Sequence, residues 1–200
     1  MARITGPKCR LCRRAGVKLY LKGTKCDSEK CPMNTRPYAP GQHGNRRSRK
    51  SEYGLQLMEK QKAKWIYGIT EKQFKKYVDK AMEAEGITGE NLYQLLESRI
   101  DNIVYRSGLA VSRAQARQMV RTGLFKLNDR LVKTPSHPVK PGDVIKPVDF
   151  SKVHLREGFV LPDWISANVK ERYVKYEKLP LLENFNENYE VQQIIDFYSR

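Results

Sequence analysis

Cys9, Cys12, Cys26 and Cys31 are the only cysteines in the chain, and all lie in a segment with almost no apolar periodicity. Their spacing is C-x2-C, thirteen residues, then C-x4-C. Each close pair turns two sulfurs toward one centre, which suits a four-thiolate metal site. Gly6-Pro7 before the first pair and Gly23 before the second favour turns there. Two disulfides or four inert buried thiols would also satisfy the count. The surrounding segment offers no core for inert thiols. The first thirty residues lack the apolar stretch of a secretory leader, which points to a reducing compartment. Flanking Arg and Lys are expected to lower the thiol pKa values and favour the ligand form. Zinc is the expected metal, and a four-iron four-sulfur cluster stays open because it takes the same ligands. A full set of protein ligands leaves no position for catalysis at zinc. The metal is expected to staple loops over residues 1–45 that could not fold alone.

The same segment carries most of the charge. The chain has 38 Lys and Arg against 22 Asp and Glu, a balance of +16. Residues 1–50 hold fourteen of the basic residues and only two acids, while residues 171–200 are net negative. Charge gathered in one segment implies a polyanionic partner, and nucleic acid fits better than an acidic membrane surface. No apolar run approaches the roughly 18 residues of a membrane span. The expectation is a soluble, cytoplasmic chain without a membrane or a small-molecule substrate as partner.

From Ser51 the pattern turns helical, with Leu55, Met58, Trp65 and Ile66 near helical spacing and Gly68 as a stop. Trp65 reads as a core residue. Thr70 and Gln73 suggest a capping box opening a helix striped by Phe74, Tyr77, Val78, Ala81 and Met82. One further helix is expected to carry Leu92, Leu95, Leu96, Ile100, Ile103 and Val104 as far as Gly108. Ser112 and Gln115 cap a short helix ending near Gly123. Phe125-Lys126-Leu127 and Leu131-Val132 then flank Asn128-Asp129-Arg130 as a hairpin. Pro141-Gly142-Asp143 reads as a tight turn before Val144-Ile145-Lys146. Residues 148–185 suggest short strands and loops. Val191, Ile194, Ile195 and Tyr198 form one stripe of a last helix, which needs a partner to cover it.

On the short helix Arg113, Arg117 and Arg121 recur every four residues, a rise of about 6 Å that suits successive phosphates. A solvated face would look the same. Lys126 and Arg130 on the hairpin, and Arg99 and Arg106 on the preceding helix, favour the nucleic-acid reading. Tyr38 and His43 could stack on an unpaired base. Arg46, Arg47, Arg49, Lys50, Lys60, Lys62 and Lys64 read as phosphate contacts.

The run from Leu96 to Arg106, the run Val111-Ser112-Arg113-Ala114-Gln115-Ala116-Arg117, the hairpin and Pro141-Gly142-Asp143 resemble a helix–turn–helix–hairpin RNA-binding module. Ribosomal protein four, some pseudouridine synthases and tyrosyl-tRNA synthetases share it. Gly6-Pro7, the cysteines, Pro37-Tyr38, Pro40-Gly41-Gln42-His43-Gly44, Lys60-Gln61-Lys62, Tyr67-Gly68-Ile69 and Phe197-Tyr198-Ser199-Arg200 extend the likeness. Over most of its length the chain resembles the cysteine-containing form of the bacterial small-subunit ribosomal protein four family.

The resemblance implies an α+β chain. A helical domain (46–92 and 180–200) would be interrupted by the RNA-binding module (93–179), and the metal-stapled extension (1–45) would precede both. It implies a structural constituent of the small ribosomal subunit that binds the 5′ domain of small-subunit ribosomal RNA early in assembly. It further implies contact with ribosomal protein five, an influence on decoding accuracy and, in some members, repression of the protein's own messenger. Arg10, Arg13, Arg14, Gln42 and Gln115 join the expected RNA contacts. An RNA-modifying enzyme would need a separate catalytic domain, for which no residues remain, and no nucleotide-binding or nucleophile motif is present. A zinc-containing DNA-binding regulator is the other alternative; comparing duplex DNA with junction RNA separates the two.

Overall fold

The computed structural model describes residues 4–45, 49–153, 156, 159–168 and 173–199. The helices are α1 (Lys8–Ala15), α2 (Thr24–Asp27), α3 (Pro32–Thr35), α4 (Glu52–Tyr67), α5 (Glu71–Glu83), α6 (Thr88–Glu97), α7 (Ile100–Arg106) and α8 (Arg113–Arg121), with α9 (Val191–Tyr198) last. Between α8 and α9 run β1 (Phe125–Leu127), β2 (Arg130–Val132), β3 (Val144–Pro147), β4 (Ile165–Asn168) and β5 (Tyr173–Tyr176). The chain divides into two units, Met1–Leu92 with Phe185–Arg200, and Tyr93–Asn184.

In the first unit the opening segment is not all loop. Gly16, at φ 77°, ends α1 by donating its N–H to the Cys12 carbonyl at 2.9 Å, a left-handed cap that glycine adopts without strain. Ser51 caps α4 by accepting from the Gly54 N–H at 3.2 Å. The buried face of α4 departs from the expected stripe. Leu55 is exposed, whereas Gln56, Glu59, Lys60, Ala63, Ile66 and Tyr67 point inward.

The charged groups are tolerated there because they are paired, whereas the buried Gln56 side-chain oxygen has no hydrogen-bond partner among the described residues. Glu59 accepts from Lys62 at 2.6 Å and from the Glu190 N–H at 3.0 Å. Lys60 donates to Glu71 at 2.7 Å and stands 4.6 Å from the centre of the Phe197 ring. Thr70 is the N-cap of α5, but its side chain makes no capping bond. Phe74, Val78 and Ala81 of α5 are buried, as their spacing predicts, while Met82 of the expected stripe is exposed. The last helix packs on α4 with Val191 and Ile194 inward, and Tyr53 lies 5.5 Å from Phe197.

In the second unit the expected long helix is two. Arg99 takes extended backbone angles between α6 and α7, and its backbone bridges Pro138. Ile100 N–H to His137 O (3.0 Å) and Val139 N–H to Ser98 O (2.8 Å) stitch the break to the later loop. The backbone groups freed by interrupting the helix are thereby satisfied. The strands form one antiparallel sheet in the order β2-β1-β3-β5-β4. Phe125 and Leu127 of β1 point inward with Ile145, Val174 and Tyr176, packing on Ile103, Val104, Ala116 and Val120. Fully burying a side chain such as Phe125 contributes about 1.5–3 kcal/mol. The β1–β2 turn consists of Asn128 and Asp129, both left-handed (φ 47° and 68°), so Arg130 begins β2 rather than closing the turn. Two left-handed residues match the twist of a hairpin. Asn128 holds them by accepting from the Val144 N–H at 2.9 Å and donating to Asp143 at 2.6 Å.

Candidate nucleic-acid interface

The arginines read as one phosphate-binding set divide into two populations. Arg99 is 2% exposed and forks onto Asp101, with Nε at 3.0 Å and Nη2 at 2.7 Å from the two carboxylate oxygens. Arg117 reaches the same carboxylate at 3.1 Å. Arg106 forks onto Glu97, which is fully buried, at 2.8 and 3.1 Å. Asn102 donates to Glu97 at 2.9 Å and accepts from Arg113 Nε at 2.7 Å. Arg113 also covers the Tyr105 ring at 4.6 Å. These groups clamp α7 to α8 and α6. Arg99 is therefore corrected from an RNA contact to an internal ion pair, and Arg106, Arg113 and Arg117 spend guanidinium donors on the clamp. The helical spacing of the arginines was legible; the carboxylates facing them were not. Gln115 turns its side-chain oxygen to the Val111 N–H at 2.8 Å, while Ser112 accepts from the Gln115 N–H at 3.3 Å.

Arg121, Lys126 and Arg130 are exposed, and so are Lys133, Lys140 and Lys146, which the sequence reading missed. Strand register places Lys126 directly opposite Lys146 on the outer face of the sheet. Like charges in that position repel. Lys146 is relieved in part by Asp129 at 3.2 Å, through an exposed and hence weak pair. The alternation that sends Phe125 and Leu127 inward sends Lys126 outward, a signal that could also have identified Lys146. An open concavity of about 630 Å³ lies beside the hairpin, edged by Arg130, Lys133, His137 and Lys140.

In the first unit Lys60 is corrected in the same way as Arg99. It is 6% exposed and bound to Glu71, which also takes Lys64 at 2.9 Å and the Tyr198 hydroxyl at 3.0 Å. Partial burial works against the Glu71 charge, but hydrogen bonds from Lys60, Lys64 and Tyr198 outweigh it and hold the carboxyl at about 2. Lys62 is turned to Glu59. Arg10, Arg14, Gln42, His43, Arg49 and Lys50 are exposed. Arg13 is held by Tyr38, donating Nε to its carbonyl at 3.0 Å with the guanidinium 5.1 Å from the ring centre. Arg46 and Arg47 lie outside the described residues. A second concavity of about 630 Å³ runs from Arg13 and Arg14 past Lys50 to Leu57, Met58 and Trp65. Trp65 is only half-buried and lines this wall, contrary to its expected place in the core.

The four cysteines line one small cavity of about 10 Å³. Burial pushes the Cys12 and Cys26 thiols up, contrary to the lowering expected from neighbouring Arg and Lys, and is opposed only by backbone hydrogen bonds at Leu19 and Lys22. Among the described residues no group of three or more His, Cys, Asp or Glu side chains is arranged to hold a metal ion. No helix among them is long and apolar enough to cross a membrane.

The family profile of the ribosomal protein S4/S9 N-terminal domain matches residues 3–97, and that of the S4 domain matches residues 98–145. The small ribosomal subunit protein uS4 of Dictyoglomus turgidum is 48% identical over 206 residues, covering all of both chains. That of Thermodesulfovibrio yellowstonii is 48% identical over 208 residues, and that of Pelotomaculum thermopropionicum 50% over 208, again end to end. The chain belongs to the uS4 family. This is a family of ribosomal constituents, not of enzymes. The S4 domain matched in this uS4-family chain runs from the α6–α7 break into β3 and so contains Lys126 and the arginines of the clamp, while their partner Glu97 is the last residue of the N-terminal match. Strands β4 and β5, which complete the sheet, fall beyond it.

Proposed function

We infer that the chain binds small-subunit ribosomal RNA directly, with the outer face of the sheet and the basic surface of the first unit gripping phosphates. The observation that carries this is the opposed pair Lys126 and Lys146. Two ammonium groups held face to face by strand register are unfavourable in isolation and favourable against a polyanion. The internal arginines do different work, since they fix the helices from which Arg121 and the hairpin project. In line with its family, the chain acts in the cytoplasm within the small subunit, without catalysis. At finer grain the reading is binding to the 5′ domain early in assembly, contact with ribosomal protein five and a part in decoding accuracy. Binding to its own messenger would use the same surface.

We also propose that Cys9, Cys12, Cys26 and Cys31 hold a structural metal. The donor chemistry fits: all four thiols line one cavity without a carboxylate or imidazole, and they would have to close inward to hold a metal, since no such group among the described residues is arranged for one as they stand. Zinc is the first reading and a four-iron four-sulfur cluster the second, since both take four thiolates. A bound metal would replace thiol protons, removing the burial penalty on thiolates, and would tie α1 to α2 and α3.

The test is binding to a 5′-domain transcript across a salt series, with duplex DNA and heparin as comparators. Lys126→Glu should weaken the transcript complex and lower the slope of log affinity against log salt by about one, the signature of a lost phosphate contact. Its melting temperature should not fall. Equal affinity for heparin and transcript would end the ribosomal reading, and an unchanged slope would remove Lys126 from it.

A further inference from the structure

The concavity of the first unit has a chemistry that the exposed lysines of the sheet lack. Arg13, Arg14 and Lys50 line it together with Leu57, Met58 and Trp65, and no carboxylate is among its lining residues. Its volume, about 630 Å³, lies within the roughly 300–1,000 Å³ of small-ligand sites. Trp65 is half-buried, and no aromatic ring among the described residues stacks on it. The other tryptophan, Trp164, is 1% exposed and packs edge-on against Tyr176 at 5.6 Å. Arg13 is already oriented by Tyr38. The concavity runs along α4, from Lys50, Ser51 and Gly54 at its N-terminal end to Trp65 in its last turn.

An indole beside cations, with an apolar floor, offers a base something to stack on and its phosphate something to bind. Bases stacked inside a duplex cannot present a face to such a wall. We propose that this concavity takes one unpaired RNA nucleotide, its base against Trp65 and Met58 and its phosphate against Arg13 and Arg14. The proposal rests on the RNA-binding reading above and adds to it selection for an unstacked base.

Tryptophan emission of the full-length chain tests it, because the partly exposed indole is the one at the site. A single-stranded oligoadenylate should quench emission saturably, whereas an RNA duplex of equal length and inorganic phosphate should not. Trp65→Leu should weaken oligoadenylate binding by about five- to a hundredfold, the loss expected for one stacked base, and Trp65→Phe should restore most of it. Arg14→Glu, at an exposed position, should weaken binding with folding intact, which keeps the test decisive should Trp65→Leu not fold. Equal quenching by duplex or phosphate, or unchanged affinity in the folded variants, overturns the site. If oligoadenylate fails to quench while the chain still prefers ribosomal transcript to heparin, the nucleotide site falls and the RNA reading stands. If that preference is itself missing, both fall.

Discussion

A guanidinium as buried as that of Arg99 must find its counter-charge inside the protein, because desolvating an unpaired cation costs far more than any contact returns. Asp101 supplies it, and Arg117 shares the same carboxylate. Arg99→Ala should therefore destabilise the second unit by roughly 1–3 kcal/mol, the cost of unmet hydrogen bonds at a buried carboxylate that keeps Arg117 as its counter-charge. Urea unfolding measures this; full stability with selectively weakened RNA binding would show that Arg99 faces the ligand after all. Glu71 gives a prediction in pH. Its carboxyl is held at about 2, below the ordinary 4.5. A lowered folded-state pKa means stability that is fully present above about 4.5 and is lost as pH falls toward about 2. Glu71→Gln should flatten that part of the acid-unfolding curve while lowering stability at neutral pH. A mutant curve parallel to the wild type would count against the Lys60–Glu71–Tyr198 cluster.

Between elements, pattern was legible where one apolar face met one neighbour. The stops at Gly68 and Gly123, the stripe of α5, the turn at Gly142 and the face of α9 follow from periodicity and cap chemistry. The break at Arg99 was not legible, because it is satisfied by backbone groups of residues 137–139, far away in sequence. The inward face of α4 was missed for a related reason. Glu59 and Lys60 are inside only because Glu190, Glu71 and Phe197 meet them there. Of the candidate site, residue type and region were readable, while the choice between clamp and exposed cation depended on partners that no local window shows. The cysteines belong to this scale too. On the metal proposal, Cys12→Ser should abolish metal binding and disorder roughly residues 1–45, with α4, α5 and α9 still folded. Elemental analysis with amide hydrogen exchange checks both halves; stoichiometric metal in the mutant would discard the site.

Across the whole molecule, the first unit is assembled from both ends of the chain, and the second lies between them in sequence. A chain ending at residue 184 keeps every strand and α6 to α8 but lacks the helix that covers α4. Such a truncation should retain one cooperative thermal transition, from the second unit, and lose that of the first. Calorimetry alongside the full-length chain reads this directly. An unchanged pair of transitions would mean that α9 is dispensable. Charge follows the same division of the sequence: the basic opening lies in the first unit, while the acidic closing stretch is shared, with Glu177 and Glu183 in the second unit and Glu187, Glu190 and Asp196 in the first.

The sequence split of the first unit also sets a timetable for the newborn polypeptide. Translation delivers α4 and α5 long before α9, so their inner face waits uncovered while the intervening residues are made. The second unit is released whole and can settle first. Synthesis stalled a few codons short of its stop would leave a polypeptide with a finished hairpin and an unclosed bundle, a natural substrate for chaperones and proteases.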